Sequence, residues 1–174
     1  MTGPETYSKL PHIQLRKPSL NDGAAIYNLI KRSKPLDLNS LYCYLIICEH
    51  FNETSIVVQL ESEITGFISA YIHPKKEDTL FIWQVAVDTS MRKKGLAMRM
   101  VMAILGRDVS IKIRYIETTV SPSNEPSSRF FHSLALSLRT ELKQETFITE
   151  SMFGDENHED EVLYRIGPFR IPDI

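Results

Sequence analysis

Residues 79 to 87, TLFIWQVAV, are apolar almost throughout, so neither face of a strand built from them is polar. Such a strand has to be covered on both sides and belongs in the middle of a sheet with layers above and below it. The run ends at Asp88 and a short polar turn. Apolar residues then recur at helical spacing from about residue 95 to 106, with Leu96, Met100, Ala103 and Ile104 on the inward face. RYIETTV follows as a second strand. A strand, a crossover helix and another strand within residues 79 to 120 make those two strands parallel neighbours.

The other elements are shorter but carry clear signals. Ser19 followed by Asp22 predicts an N-cap for a helix bearing Ala25, Ile26, Leu29 and Ile30. Ser40 caps a second helix through Phe51, with Leu41, Leu45 and Cys48 as its predicted buried stripe. SIVVQL and ITGFISAYI flank the polar turn Glu61, Ser62, Glu63, which is a hairpin signal. SSRFFHSLAL reads as a helix and DEVLYRIG as a last strand. Two helices, three strands and then helix, strand, helix, strand give a mixed α/β fold. At 174 residues the chain suits one core. Residues 1–12, with Gly3, Pro4 and Pro11, read as an N-terminal tail, and 13–174 as a single domain.

Charge limits the partners. Lys plus Arg total 20 against 22 acids, a formal net charge of -2, so no general basic field favours nucleic acid. There is neither a leader-like segment nor a run of about 18 apolar residues, which predicts a cytoplasmic protein without a membrane span. Cys43 and Cys48 lack the spacing of paired metal ligands and read as buried thiols, so no metal site is expected.

Arg92, Lys93 and Lys94 therefore stand out as a local cluster at the junction of strand and helix. The first turn of a helix carries unpaired N–H groups and the positive end of the dipole, so cations there need an anion as partner. Gly95 lets a ligand approach the backbone, and the amides from Lys93 to Ala97 can form a concavity suited to a pyrophosphate. A solvated turn with a basic edge is the alternative. The pattern is neither G-x-G-x-x-G nor G-x-x-x-x-G-K-[ST], which leaves a pyrophosphate carrier other than a nicotinamide dinucleotide or a P-loop nucleotide.

The segment Val85 to Ala97, a strand followed by Arg92-x-x-Gly95-x-Ala97, resembles the acetyl-CoA motif R/Q-x-x-G-x-G/A of the GNAT N-acetyltransferases. That resemblance implies the GNAT fold, a mixed and mostly antiparallel twisted sheet with a splayed parallel strand pair, flanked by helices. It also implies acetyl-CoA as cosubstrate, with its pyrophosphate on the amides after Arg92 and its pantetheine arm along Val85 and Val87. In TTVSPSNEPSSRFF, Asn124 matches the position that faces that arm. KPLDLNSLYCYL, FIWQVAV, IETTVSPSN and VLYRIGPF further resemble the GNAT subfamily acting on L-2,4-diaminobutyrate, over roughly residues 13 to 170. This implies acetylation of the γ-amine in ectoine biosynthesis, an osmoprotective pathway, by a homodimer. Acetylation of another small diamine or of a lysine side chain, and a non-catalytic acyl-CoA-binding module, are the competing readings.

A diamino acid needs acidic or aromatic partners for its ammonium groups and a donor for its carboxylate. Asp37, Tyr42, Trp83, Glu117 and the acidic stretch FGDENHEDE around His158 can supply them, with Asp37 expected in a largely desolvated pocket. Each has a plainer alternative: a turn residue for Asp37, a core aromatic for Trp83, a solvated loop for the acids. The Val85 N–H is the expected donor to the developing oxyanion. Glu117 is a candidate base acting through water, or else a structural ion pair. Many relatives place an acidic tyrosine where this chain has Phe131, so the proton donor to the leaving thiolate stays unassigned.

Overall fold

The computed structural model describes residues 13–154 and 158–170; the expected tail at 1–12 lies outside them. The described chain runs β1 (Ile13–Arg16), α1 (Gly23–Lys31), α2 (Leu41–His50), β2 (Ile56–Leu60), β3 (Glu63–Ile72) and β4 (Thr79–Val87), followed by α3 (Leu96–Leu105), β5 (Tyr115–Val120), α4 (Glu125–Ser137), β6 (Leu142–Ile148) and β7 (Glu161–Ile166). The strands form one sheet in the order β1-β2-β3-β4-β5-β7-β6. The apolar run is the central strand, as its composition requires. β4 and β5 pair in parallel and every other neighbour is antiparallel.

Helices cover the two faces of the sheet. On one, Met100, Val101 and Ile104 of α3 and Leu134 of α4 pack with Ile68, Leu80, Ile82 and Ile116. On the other, Ile26, Leu29 and Ile30 of α1 and Tyr44, Ile47 and Cys48 of α2 pack with Val57, Phe67 and Ala86. The stripe of α2 is therefore Tyr44, Ile47 and Cys48, whereas Leu41 is exposed and Leu45 half-buried. Tyr44 decides the rotation of this helix. Its ring meets Tyr27 and Phe67 edge-on, each at 6.3 Å, and its hydroxyl donates to Gln84 Oε1 at 3.3 Å. Leu96, Met100 and Ile104 face inward as expected, but Ala103 is only half-buried. Burial of the free thiol pushes Cys48 up to about 11.

Two strands depart from the sequence reading. β1 has four residues and pairs only with β2, and β6 is polar and exposed along most of its length at the other edge. β1 alternates apolar and polar residues but is only four residues long, and β6 carries no apolar alternation. Among the described residues, no helix is long and apolar enough to cross a membrane and no cluster could hold a metal ion.

Candidate active site

The parallel pair closes only at one end. Thr79, Leu80 and Phe81 face Tyr115, Ile116 and Glu117, and beyond that point β4 and β5 separate. A bulge in β4 marks the split: Ser69 faces Gln84 and Ala70 faces Ile82, which leaves Trp83 as the extra residue. The Gln84 N–H donates to the buried Ser69 hydroxyl at 3.1 Å, which fixes the bulge.

The register also sets which backbone groups enter the split. Gly66 faces Val87, Ile68 faces Val85, and the Asp88 N–H donates to Thr65 O at 2.8 Å. Val85 and Val87 are thus in the non-hydrogen-bonded phase of the β3 ladder, with N–H and C=O directed towards β5. Val85 finds no strand partner there. Val87 O accepts from Arg92 Nε at 3.1 Å, which ties this guanidinium to the strand end at the edge of the cleft.

A cleft of about 610 Å³ opens from the split. Val85, Val87, Gly95, Ala97, Asn124 and Phe130 are among the residues that line it. Lys93 and Gly95 both take positive φ, at 61° and 69°, turning the backbone amides before α3 towards one concave surface. A Cβ on Gly95 would meet no atom within 4 Å, so this glycine is required by conformation and leaves the approach to α3 open. Lys94 is exposed alongside. Across the cleft, Asn124 caps α4 by accepting from the Ser127 N–H at 3.2 Å, which leaves its amide NH₂ for a ligand.

The sheet face carrying α1 and α2 continues over β5 and β7, where Glu117, Glu161 and Arg165 lie. Gln84 Nε2 donates to Asp37 O at 2.8 Å and locates the loop between α1 and α2. Asp37 Oδ2 lies 3.4 Å from His158 Nε2, so the fold brings together two candidates far apart in sequence. His158 also contacts the Glu159 carbonyl at 2.7 Å, stacks on Phe153 at 3.9 Å and comes within 3.9 Å of Glu161. The Glu159 carbonyl, followed by Asp37, raises the imidazole above its usual value although partial desolvation opposes them. The Asp37 side chain is 81% exposed, which corrects the expectation of a desolvated pocket. Trp83 and Tyr42 are exposed too, and Trp83 is no core aromatic. Asp155, Glu156 and Asn157 of the acidic stretch lie outside the described residues.

Glu117 sits at the apex of the split, buried on β5. Burial alone would push its carboxyl up, but hydrogen bonds from Lys76, at 2.8 Å, and from Arg165 outweigh this and hold it below the usual range. A carboxylate held this way is a poor proton acceptor. Of its two readings, a base acting through water or a structural ion pair, this geometry favours the ion pair.

Comparison with known proteins resolves what these features belong to. The sequence profile of the Acetyltransferase (GNAT) family matches residues 23–135. The L-2,4-diaminobutyric acid acetyltransferase of Marinococcus halophilus is 47% identical over 169 residues, covering 97% of this chain and 96% of its own. That of Virgibacillus pantothenticus is 51% identical over 153 residues, covering 88% and 96%. The chain belongs to the GNAT acetyltransferase family. Among solved structures, the diaminobutyrate acetyltransferase EctA from Paenibacillus lautus, in complex with its substrate L-2,4-diaminobutyric acid and coenzyme A, matches with a TM-score of 0.88 and 40% identity. The match covers 92% of this chain and 97% of that one.

The cleft of this GNAT protein fits acetyl-CoA on its own geometry. An unpaired strand edge at Val85 accepts an extended amide-bearing arm, and the amides around Gly95 accept a pyrophosphate. Phe131 is 3% exposed and packed in the core beside Phe130, so position 131 could not present a proton donor to the cleft without moving. Lys76, Ser69 and Arg165 escaped the sequence reading. Gln84, a lone polar residue within an apolar strand, was a legible signal for a buried polar contact.

Proposed function

We propose that this chain transfers the acetyl group of acetyl-CoA to the γ-amine of L-2,4-diaminobutyrate, giving N-γ-acetyl-2,4-diaminobutyrate and CoA. The observation that carries the reading is the likeness, over nearly the whole chain, to a diaminobutyrate acetyltransferase solved with that substrate and coenzyme A. The contact between Asp37 and His158 beside the split agrees with it. On this reading Gly95, Ala97, Lys93 and Lys94 hold the pyrophosphate. Val85, Val87 and Asn124 align the arm, and Arg92 braces the strand end. Asp37, Tyr42, Trp83 and His158 bind the diamine.

Bound acetyl-CoA supplies an acyl group activated as a thioester. The Val85 N–H, unpaired and aimed into the split, donates to the oxygen on which charge develops. The attacking amine has to be neutral, and desolvation together with the adjacent α-ammonium lowers its proton affinity. Water takes that proton, while Glu117 remains a fixed anion paired with Lys76 and Arg165. We further propose a homodimer in the cytoplasm. Exposed Phe147 supports the first part and the free thiols the second.

Thiol release measured across L-2,4-diaminobutyrate, ornithine, lysine and 1,3-diaminopropane, with mass spectrometry of the products, tests the assignment. L-2,4-diaminobutyrate should give the highest kcat/KM and a γ-acetyl product. A faster reaction with lysine or ornithine would overturn the substrate, and no thiol release with any amine would overturn the activity.

A further inference from the structure

Glu117 receives two cations on a single oxygen. Lys76 Nζ and Arg165 both donate to Oε1. One carboxylate between two cations leaves a surplus positive charge at the apex of the split, on the face of the sheet that carries Asp37. Register fixes this placement: Glu117 faces Phe81 on β4 and Arg165 on β7. Phe81 stacks on Tyr71, and Tyr71 in turn meets Phe51 next to α2, so these residues share the side covered by α1 and α2.

The two cations are built differently. Arg165 lies with its guanidinium 3.8 Å above the Tyr115 ring, which fixes the plane of its fork. One of its nitrogens serves Glu117, and its other N–H groups have no partner among the described residues. The side chain is 31% exposed. Lys76 arrives from the hairpin between β3 and β4 and is 43% exposed. Cations that only neutralised a buried acid would be matched to it in number; here one is in excess and both reach solvent.

The acids lie at the other end of the same face. Glu161 and Arg165 are four residues apart on β7, on one side of the sheet and roughly 13 Å from each other along the strand. Asp37 and His158 sit at the Glu161 end. A sheet face that is acidic at one end and cationic at the other matches a molecule carrying both ammonium groups and a carboxylate.

We infer that Arg165, assisted by Lys76, binds the carboxylate of the substrate and selects a diamino acid over a simple diamine. The inference rests on the diaminobutyrate reading and names the group that reads the part of the substrate away from the reacting amine. Arg165 acts here as a specificity-determining residue. Planar guanidinium meets planar carboxylate through two parallel hydrogen bonds, a pairing an ammonium cannot reproduce.

The test compares L-2,4-diaminobutyrate with 1,3-diaminopropane, which keeps both amines and lacks the carboxylate. Arg165→Gln should raise KM for diaminobutyrate on the order of 100-fold, with a much smaller change in kcat. 1,3-Diaminopropane should be a poor substrate of the wild type and lose less than about threefold in kcat/KM on the same substitution, since it never made the contact. Arg165→Lys should recover only part of the loss. Because Arg165 also partners a buried carboxylate, Lys76→Gln is measured in parallel, with acetyl-CoA affinity and thermal unfolding as controls on folding. Equal losses for both substrates in folded protein would overturn the inference while leaving the diaminobutyrate activity in place. A wild type inactive on diaminobutyrate would overturn that activity instead.

Discussion

Gly95 holds φ at 69°, a region in which a Cβ is strained, yet the space its side chain would fill is empty. These two facts separate conformation from crowding. Gly95→Ala should weaken acetyl-CoA binding by roughly the strain of the left-handed region, about 1 kcal/mol. Gly95→Glu adds an anion where amides should meet pyrophosphate, and should abolish measurable binding in calorimetry; wild-type affinity in that variant would remove the phosphate role of this turn. Asp37 behaves differently because water reaches it. Its pairing is screened, so Asp37→Asn should lower kcat/KM for diaminobutyrate only by a factor of about 3 to 10, with acetyl-CoA affinity unchanged. The same substitution should lower the titration midpoint of His158 in NMR, since Asp37 helps to hold that imidazole above its usual value. A midpoint that did not move would mean the two side chains are not in contact in solution. The sequence made both residues candidates, but solvation is set by the surrounding loops and could not be read from it.

The bulge in β4 is a single extra residue with consequences for an entire element. Without it β4 and β5 could remain paired past Phe81 and Glu117, and Val85 would spend its N–H on a neighbouring strand. Ser69 is the hinge pin: its buried hydroxyl accepts from the Gln84 N–H. Ser69→Ala removes that acceptor and exposes the bulge to rearrangement, at a cost of about 1–3 kcal/mol. Thermal unfolding should show the loss, and kcat should fall more than stability alone explains, because the Val85 N–H loses its aim. A destabilised variant with wild-type kcat would show that the bulge serves only the fold. Sequence patterning could place β4, α3 and β5, since apolar periodicity and the turn between them are local signals. It could not show the bulge, because Trp83 continues the apolar run in either register, nor β6, whose exposed residues carry no period.

Three carboxylates, in four ion pairs, lace together elements from different parts of the chain, and together they set how the whole molecule responds to acid. Asp22 joins α1 to Arg16 of β1 at 2.7 Å, Asp88 joins the end of β4 to Arg32 after α1 at 2.9 Å, and Glu117 joins β5 to Arg165 of β7 and to the hairpin bearing Lys76. Burial alone would raise Asp22 and Glu117, yet their hydrogen-bonded cations bring both below the usual carboxyl range. Asp88 is lowered chiefly by Ser90 and then by Arg32. None of these pairings could be read from the sequence, because each partner lies on another element and only the folded register brings them together. A carboxyl with a depressed folded value contributes stability that is complete above its unfolded value, about 4, and is lost as pH falls through the folded one. His158 has the opposite sign, since a raised imidazole stabilises below about 6.5 and stops doing so as pH rises through its folded value; solvent screening keeps its share small. The melting temperature should therefore be nearly flat from about pH 5 to pH 8 and drop steeply below about pH 4. Glu117→Gln should flatten part of that acid limb, because it removes one of the three titrating carboxylates, while lowering stability at neutral pH by leaving Lys76 and Arg165 without their anion. An acid limb unchanged in that variant would show that Glu117 is not held as an anion in the folded protein, and the count of one carboxylate against two cations at the apex of the split would fail with it.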